Sequence, residues 1–379
     1  MFAKFFKAPT YSGGTWSTFS DDRLFVTDSI ESYEYTKRFT DIGTFTMTLP
    51  FFADILKKLV LNGTIYFDHD WLWVQSLQYD GQKITISGTD CKGFLGTRVS
   101  LYGTAAQSGA EGYDVVSGTT AECMAHYIDN NCINCVLPGG QTADTARMLP
   151  LVWSGGAAGL ANDSYMARLE YVSDIVNRLC EHAGIGYDVR GILKNRCFGV
   201  TTIQGIDRGA GQSVRPRAIF SAAHCNVISQ NFEHGVDNLY NIVYAEDINS
   251  TVKPVARGSE STGVSRRECT VNAGISSTDP ETSTCFDRFV LNEVADNLES
   301  HSFMIDAASV SGYGTNYNIG DIVAVQDDYT KNLTNMQITE VTKSYSHGRQ
   351  SLSLTFGTPK QKPFQKIVNN FLNGTARRR

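Results

Sequence analysis

The chain has 379 residues, of which 41% are hydrophobic and 19% charged, a balance that excludes a disordered protein and leaves room for two to four modules. Its formal net charge of −6 excludes a general nucleic-acid binder with a phosphate-neutralising basic face. No apolar run is long enough for a transmembrane helix, and Met1-Phe2-Ala3-Lys4-Phe5-Phe6-Lys7 lacks the apolar core of a signal peptide.

Residues 1–22 read as an N-terminal arm, and 23–100 as a compact β module. Tyr33 and Tyr35 alternate with polar residues, as do Phe45, Met47 and Leu49 and later Ile84 and Ile86, and a period of two puts one strand face on a core. Asp41-Ile42-Gly43 turns the chain between the first two strands. A short helix is expected over 51–60, stopped by Leu61-Asn62-Gly63, then a hairpin with His69-Asp70 at its turn.

Residues 101–195 change character: glycine-rich loops separate two helices. The first opens on the capping box Thr119-Thr120-Ala121-Glu122 and is expected to end at Asn130-Asn131. The second carries Val172, Ile175, Val176, Leu179 and Ala183 on one stripe, with Gly184 as its left-handed cap. Residues 196–300 read as a β-rich connecting domain with strands at 198–203, 238–245 and 268–272, closed by a helix over 286–298. Residues 301–358 read as a second β module in which Leu352, Leu354 and Phe356 alternate strictly. The two β modules give a coarse symmetry, with no repeat visible residue by residue.

Residues 359–379 hold six basic and no acidic residues, leaving 27 basic against 39 acidic, or −12, in the rest. Phe364, Ile367, Val368, Phe371 and Leu372 form one helical stripe after Pro363, and Asn373-Gly374 ends it. An isolated helix this short is marginal in water, so the stripe must bury against something. One reading folds it onto its own second module. The other docks it on a partner protein or on further copies of the chain, with Arg377, Arg378 and Arg379 reaching an acidic surface.

Candidate chemistry is sparse. Nine cysteines without framework spacing are expected to be reduced and buried. Cys132-Ile133-Asn134-Cys135 lacks the second pair of a zinc site and the βαβ setting of a redox motif. None of the seven histidines stands at a metal-ligand spacing, and His224-Cys225, read as neighbours in a strand, would face opposite ways. Ser154 lacks a nucleophile elbow, Gly209-Ala210-Gly211 lacks a following Lys-Ser/Thr, and Asp327-Asp328 read as a solvated hairpin tip. No catalytic residue, metal or cofactor is expected. Trp71 and Trp73 share a strand face and suit core packing better than a carbohydrate platform, with Tyr79 and Tyr102 the other candidates for a sugar.

The segment Arg38-Phe39-Thr40-Asp41-Ile42-Gly43-Thr44-Phe45-Thr46-Met47-Thr48-Leu49-Pro50 resembles the N-terminal signature of siphophage tail-tip hub proteins of the tail-associated-lysin type. Ser87-Gly88-Thr89-Asp90-Cys91-Lys92-Gly93-Phe94-Leu95-Gly96-Thr97-Arg98 resembles the closure of that family's first barrel. Further matches follow in order at 121–131, Gly205-Ile206-Asp207-Arg208, Arg266-Arg267-Glu268 and Ile319-Gly320-Asp321-Ile322-Val323.

The resemblance implies an α+β, β-rich fold: two β-barrel-like domains joined by mixed α/β inserts, as in phage baseplate hubs. It implies a non-enzymatic homotrimer in the virion, at the tail tip or baseplate, assembled in the host cytoplasm, where two barrels per chain match a sixfold tube to a threefold tip. The implied partners are its own copies, a distal tail or tube protein, the tape measure protein and a receptor-binding or tail-fibre protein. DNA passes through such a ring without specific binding, and nothing inserts stably in a membrane. The alternatives are the hub of a phage-derived bacteriocin or injection machine, and a cell-wall-degrading or carbohydrate-binding tip protein. The few residues after the second module are too short for an appended hydrolase.

Overall fold

Alternation builds the sheets. In Thr44–Pro50, Phe45, Met47 and Leu49 are buried while Thr44 and Thr46 face out, and Leu352, Leu354 and Phe356 are buried in Arg349–Thr358. The computed structural model describes residues 2–358 except 13, 18–21, 102–112, 136–143, 157–159, 193–196, 238, 259–261, 281, 295–296, 298 and 308–311. The proposed stripe of Phe364, Ile367, Val368, Phe371 and Leu372, and the arginines 377–379, lie outside the described residues, as does Tyr102.

A 14-stranded sheet runs through the chain. Its main path is Val227–Gly235, Ser300–Ala307, Arg349–Thr358, Leu333–Ser346, Ser32–Arg38, Thr44–Pro50, Lys83–Asp90, Asp70–Tyr79, Thr64–Phe67, Ala3–Phe6, Arg23–Thr27. Ile322–Gln326 branches from Leu333–Ser346 and carries Asp207–Arg208 and Ile219–Phe220 in parallel.

The two halves of this path repeat one topology. Taken in chain order as first to fourth, Ser32–Arg38, Thr44–Pro50, Asp70–Tyr79 and Lys83–Asp90 lie in the order first, second, fourth, third. Val227–Gly235, Ser300–Ala307, Leu333–Ser346 and Arg349–Thr358 lie in that same order. In both, a short preceding strand pairs with the opening half of the third: Thr64–Phe67 with residues 70–73, Ile322–Gln326 with 333–337. Both third strands also carry an irregularity at the matching place, between Val74 and Ser76 and between Ile338 and Glu340. Each half has its own core, one around Tyr35, Phe45, Met47, Ile65 and Ile86, the other around Phe220, Phe303, Ile305, Leu354 and Phe356.

Several boundaries differ from those read in the sequence. Within the expected arm 1–22, Ala3–Phe6 is a strand between Arg23–Thr27 and Thr64–Phe67, with Phe5 stacked on Phe25. The expected connecting domain 196–300 divides. Asp207–Arg208, Ile219–Phe220 and Val227–Gly235 join the second module, because their partners lie in 300–326. Ile242–Glu246, Val252–Ala256 and Glu268–Asn272 form a separate sheet under the helix Ser283–Glu293.

The expected helix over 51–60 is only Ala53–Leu56, and the turn of the following hairpin sits at Asp68 and His69, both with positive φ. The capping box at Thr119 and Glu122 forms, but Asn130-Asn131 do not stop the helix Thr120–Ile128. It runs on into a π turn over Asp129–Ile133, where buried Asn131 donates to Tyr127 O at 2.9 Å and accepts Leu101 N at 2.9 Å. The helix Val172–Ala183 ends on Gly184 at φ +65°. Trp71 is buried and Trp73 packs against the same core, so the pair is used in packing, whereas Tyr79 is exposed.

Candidate functional site: a buried ionic junction between the modules

The hub-like signature folds into the place where the modules meet. Ser32–Arg38 pairs along its length with residues 340–346 of Leu333–Ser346, and Phe39 N continues the pairing by donating to Thr339 O at 2.9 Å. Around this seam Arg38 Nε lies 2.8 Å from Glu340 Oε2, Lys343 Nζ 2.6 Å from Asp68 Oδ2, and the Tyr33 and Tyr345 rings stack at 5.9 Å.

Phe39 then packs its ring against two glycines. A Cβ built at Gly320 (φ +89°) would lie 2.2 Å from Phe39 Cε2, and one at Gly186 2.4 Å from Phe39 Cδ2. Tyr187 N, in the insert, donates to Phe39 O at 3.3 Å. One phenylalanine therefore touches the first module, the insert and the second module together.

Beneath it lies a charge cluster. Lys37 Nζ is 2.5 Å from Asp70 Oδ1 and 3.1 Å from Asp188 Oδ2, and Arg190 Nε is 2.8 Å from Asp188 Oδ2. Burial alone would lower the Lys37 pKa; the two carboxylates outweigh it and hold the ammonium well above its usual range. Burial likewise opposes ionisation of Asp188, but Lys37 and Arg190 bring its carboxyl down to about 2. Lys92, wholly enclosed, donates to the carbonyls of Arg38, Phe39 and Asp41 at 2.6, 3.3 and 3.0 Å and sits 4.6 Å from the Tyr187 ring centre. The signature turn is thus wrapped around a buried cation.

Asp90 accepts Gly43 N at 3.1 Å through Oδ2, while its Oδ1 has no hydrogen-bond partner. Burial raises its pKa to about 6, against the pull of Lys92. A carboxyl raised on folding contributes stability that is complete below its unfolded pKa, near 4, and lost as pH rises through about 6. Asp90→Asn is expected to remove about 3 kcal/mol of that fall, two units at 1.36 kcal/mol each. Denaturant titrations from pH 4 to 7 check it: an unchanged pH slope in the variant would show that Asp90 does not titrate as described.

Lys37, Asp70, Asp188 and Arg190 satisfy one another, whereas Asp90 Oδ1 stays unpartnered. Among the described residues no His/Cys/Asp/Glu group is placed to hold a metal. Cys132 and Cys135 are both buried, and burial pushes the Cys132 thiol up to about 12 and raises that of Cys135, opposite to a metal-binding or redox pair. Cys225, expected to be buried in a strand, is instead exposed at φ +54° after the 3₁₀ turn Ala222–His224. His224 Nδ1 lies 2.7 Å from Ser221 Oγ, but Ser221 is wholly buried and caps the turn. Asp327 caps the hairpin tip, accepting Tyr329 N at 2.7 Å. A surface cleft of about 840 Å³ beside Asn162, Arg257 and Asn292 contains Asp163, which pairs with Arg288 at 3.1 Å and His182 at 3.2 Å. All nine cysteines are free thiols, so reductant is expected to leave the melting temperature unchanged; a drop of several degrees in calorimetry would reveal a bridge.

The sequence missed Lys37, Asp70, Asp188 and Arg190 as a group. A signal was present: Lys37 occupies the inward phase of Tyr33 and Tyr35, and a charge on an apolar strand face needs a buried partner.

The fold of this chain is similar to those of solved prophage tail proteins. The prophage tail protein gp18 from Listeria monocytogenes EGD-e is similar to this chain with a TM-score of 0.52 and 11% identity, over 97% of this chain and 98% of that one. The 43 kDa tail protein of prophage MuSo2 from Shewanella oneidensis has a TM-score of 0.50 at 12% identity, over 95% and 99%. A tail protein from Neisseria meningitidis MC58 has 0.50 at 12%, over 94% and 96%. No curated protein matches in sequence. These likenesses show a fold shared with solved tail proteins. The chain belongs to the Siphovirus ReqiPepy6 Gp37-like protein family, whose model matches residues 20–358.

Proposed function

We propose that this protein is a non-enzymatic homotrimeric hub at the tail tip, which adapts a sixfold tail tube to a threefold tip around the DNA exit channel. The observation that carries the reading is the repeated strand order: three copies supply six modules of one topology, as a sixfold neighbour requires. Each module is read as a barrel, with a side chain of its first strand reaching the hairpin: Tyr33 meets Phe67 at 4.9 Å, and Gln230 Nε2 donates to Gln326 O at 3.0 Å. The proposed partners are a distal tail or tube protein, the tape measure protein and a receptor-binding protein or fibre. The particle is assembled in the host cytoplasm, and the basic segment 359–379 docks on one of the tip proteins.

Imaging of assembled tails is expected to show three copies in one ring at the tip; six copies, or one, would reject the reading. Zymography of the folded chain on cell walls is expected to give no clearing. Deleting residues 361–379 is expected to release a partner while leaving the melting temperature of the chain unchanged. Retained partners with a lowered melting temperature would instead place the segment on its own second module.

A further inference from the structure

The junction described above joins the first strand of the first module to the third strand of the second. Because the modules share a topology, the chain also carries the reciprocal halves of that junction: the first strand of the second module and the third strand of the first. Among the described residues Val227–Gly235 is the last strand at its end of the sheet. On Asp70–Tyr79, Thr64–Phe67 covers the outer edge only up to Trp73, with backbone bonds from Asn62 and Gly63 at Val74. Beyond the irregularity at residue 75 no strand covers that edge among the described residues. It is on the matching stretch of the other third strand, beyond the irregularity at residue 339, that Ser32–Arg38 is seated.

We propose that Val227–Gly235 of one copy pairs antiparallel with residues 76–79 of the next copy, in the register that the intrachain junction already displays. This rests on the reading of the chain as a ring-forming hub and adds the contact that closes the ring.

The register follows from the paired positions. Tyr35 lies opposite Phe45 and Phe232 opposite Phe303, and Phe45 and Phe303 lie opposite Gly88 and Phe356 on the fourth strands, so Phe232 matches Tyr35. Counting from the irregularities, Ser76 matches Glu340 and Tyr79 matches Lys343. In the intrachain junction Lys343 lies opposite Tyr35, Thr342 opposite Thr36 and Val341 opposite Lys37. Between copies this places Tyr79 opposite Phe232, Gln78 opposite Glu233 and Leu77 opposite His234. The pairs are chemically apt. Tyr79 and Phe232, 63% and 48% exposed in the single chain, become an aromatic cross-strand pair. Gln78 and Glu233 take the place of the Thr36–Thr342 hydroxyl hydrogen bond of 2.9 Å. Val236, 39% exposed, follows the strand as Phe39 follows its own.

Both edges belong to one chain and differ from each other, so the contact is heterologous and head to tail, the kind that closes a ring. A long strand edge with exposed Ile228 and Phe232 is otherwise a template for aggregation, and a neighbouring copy removes that liability.

The test is a cysteine pair, Tyr79→Cys with Phe232→Cys, in the full chain with Cys225→Ser to remove the exposed native thiol. Mild oxidation of the assembled ring is expected to give covalent dimers and trimers on a denaturing gel, with no trimers from either single cysteine. As a second arm, Phe232→Glu is expected to abolish the ring without lowering the melting temperature, and adding Tyr79→Arg to restore it. A trimer that forms without the 79–232 bridge and is unaffected by Phe232→Glu overturns the pairing and leaves the hub reading standing. A chain that is single in assembled tails overturns both. A 79–232 bridge within one chain overturns the pairing as well.

Discussion

Lys37→Met is expected to destabilise the protein by about 3–5 kcal/mol, the cost of removing one partner from a buried ion pair. The mechanism is specific. Asp188 keeps Arg190 at 2.8 Å, but Asp70 loses the ammonium 2.5 Å away, its only ion-pair partner among the described residues, in a site that is largely closed to water. A double-mutant cycle with Asp70→Leu separates the orphaned charge from the lost packing. Replacing both partners is expected to cost less than the single change, because an apolar pair needs no desolvated charge. The readout is urea denaturation at neutral pH. A loss below about 1 kcal/mol for Lys37→Met would mean that water reaches the cluster, and that the pair has only the worth of a surface salt bridge.

Phe39→Ala is expected to cost about 3–5 kcal/mol, the range for truncating a buried phenylalanine. Phe39 is 2% exposed and touches three parts of the chain, so the cavity left behind lies between modules and cannot collapse by moving one of them. Gly320→Ala attacks the same contact from the other side. It adds a methyl 2.2 Å from the ring, at a φ of +89° that L side chains rarely adopt. The double variant is expected to cost less than the sum of the two, since the smaller side chain removes the clash and leaves only the backbone strain. Strict additivity in denaturation measurements would show that the two positions do not share the contact.

How far the sequence reached depended on how local the cause was. Tyr33, Tyr35, Phe45, Met47, Ile84 and Leu354 declared their strands because a period of two needs only the residues of the strand itself. The capping box at Thr119 and the left-handed cap at Gly184 were equally legible, since each is closed by groups a few residues apart. The hub-like signature from Arg38 to Gly43 was visible as a pattern but not as a mechanism: its carbonyls are held by Lys92, its ring by Gly186 and Gly320.

Tertiary structure decided what pairs with what. Val227–Gly235 alternates poorly and has exposed Ile228 and Phe232, because among the described residues it lies at the end of the sheet with one strand beside it, so its sequence carried no strand period. For the same reason the second module seemed to begin near 301, when its first strand stands before an inserted sheet and helix. Asp70 and Asp188 are 118 residues apart, and nothing in either neighbourhood announces the other. Only when Ser32–Arg38 is laid between them does Lys37 turn two carboxylates and a lysine into one buried site, and the repeat of the two modules become visible as strand order where no residues repeat.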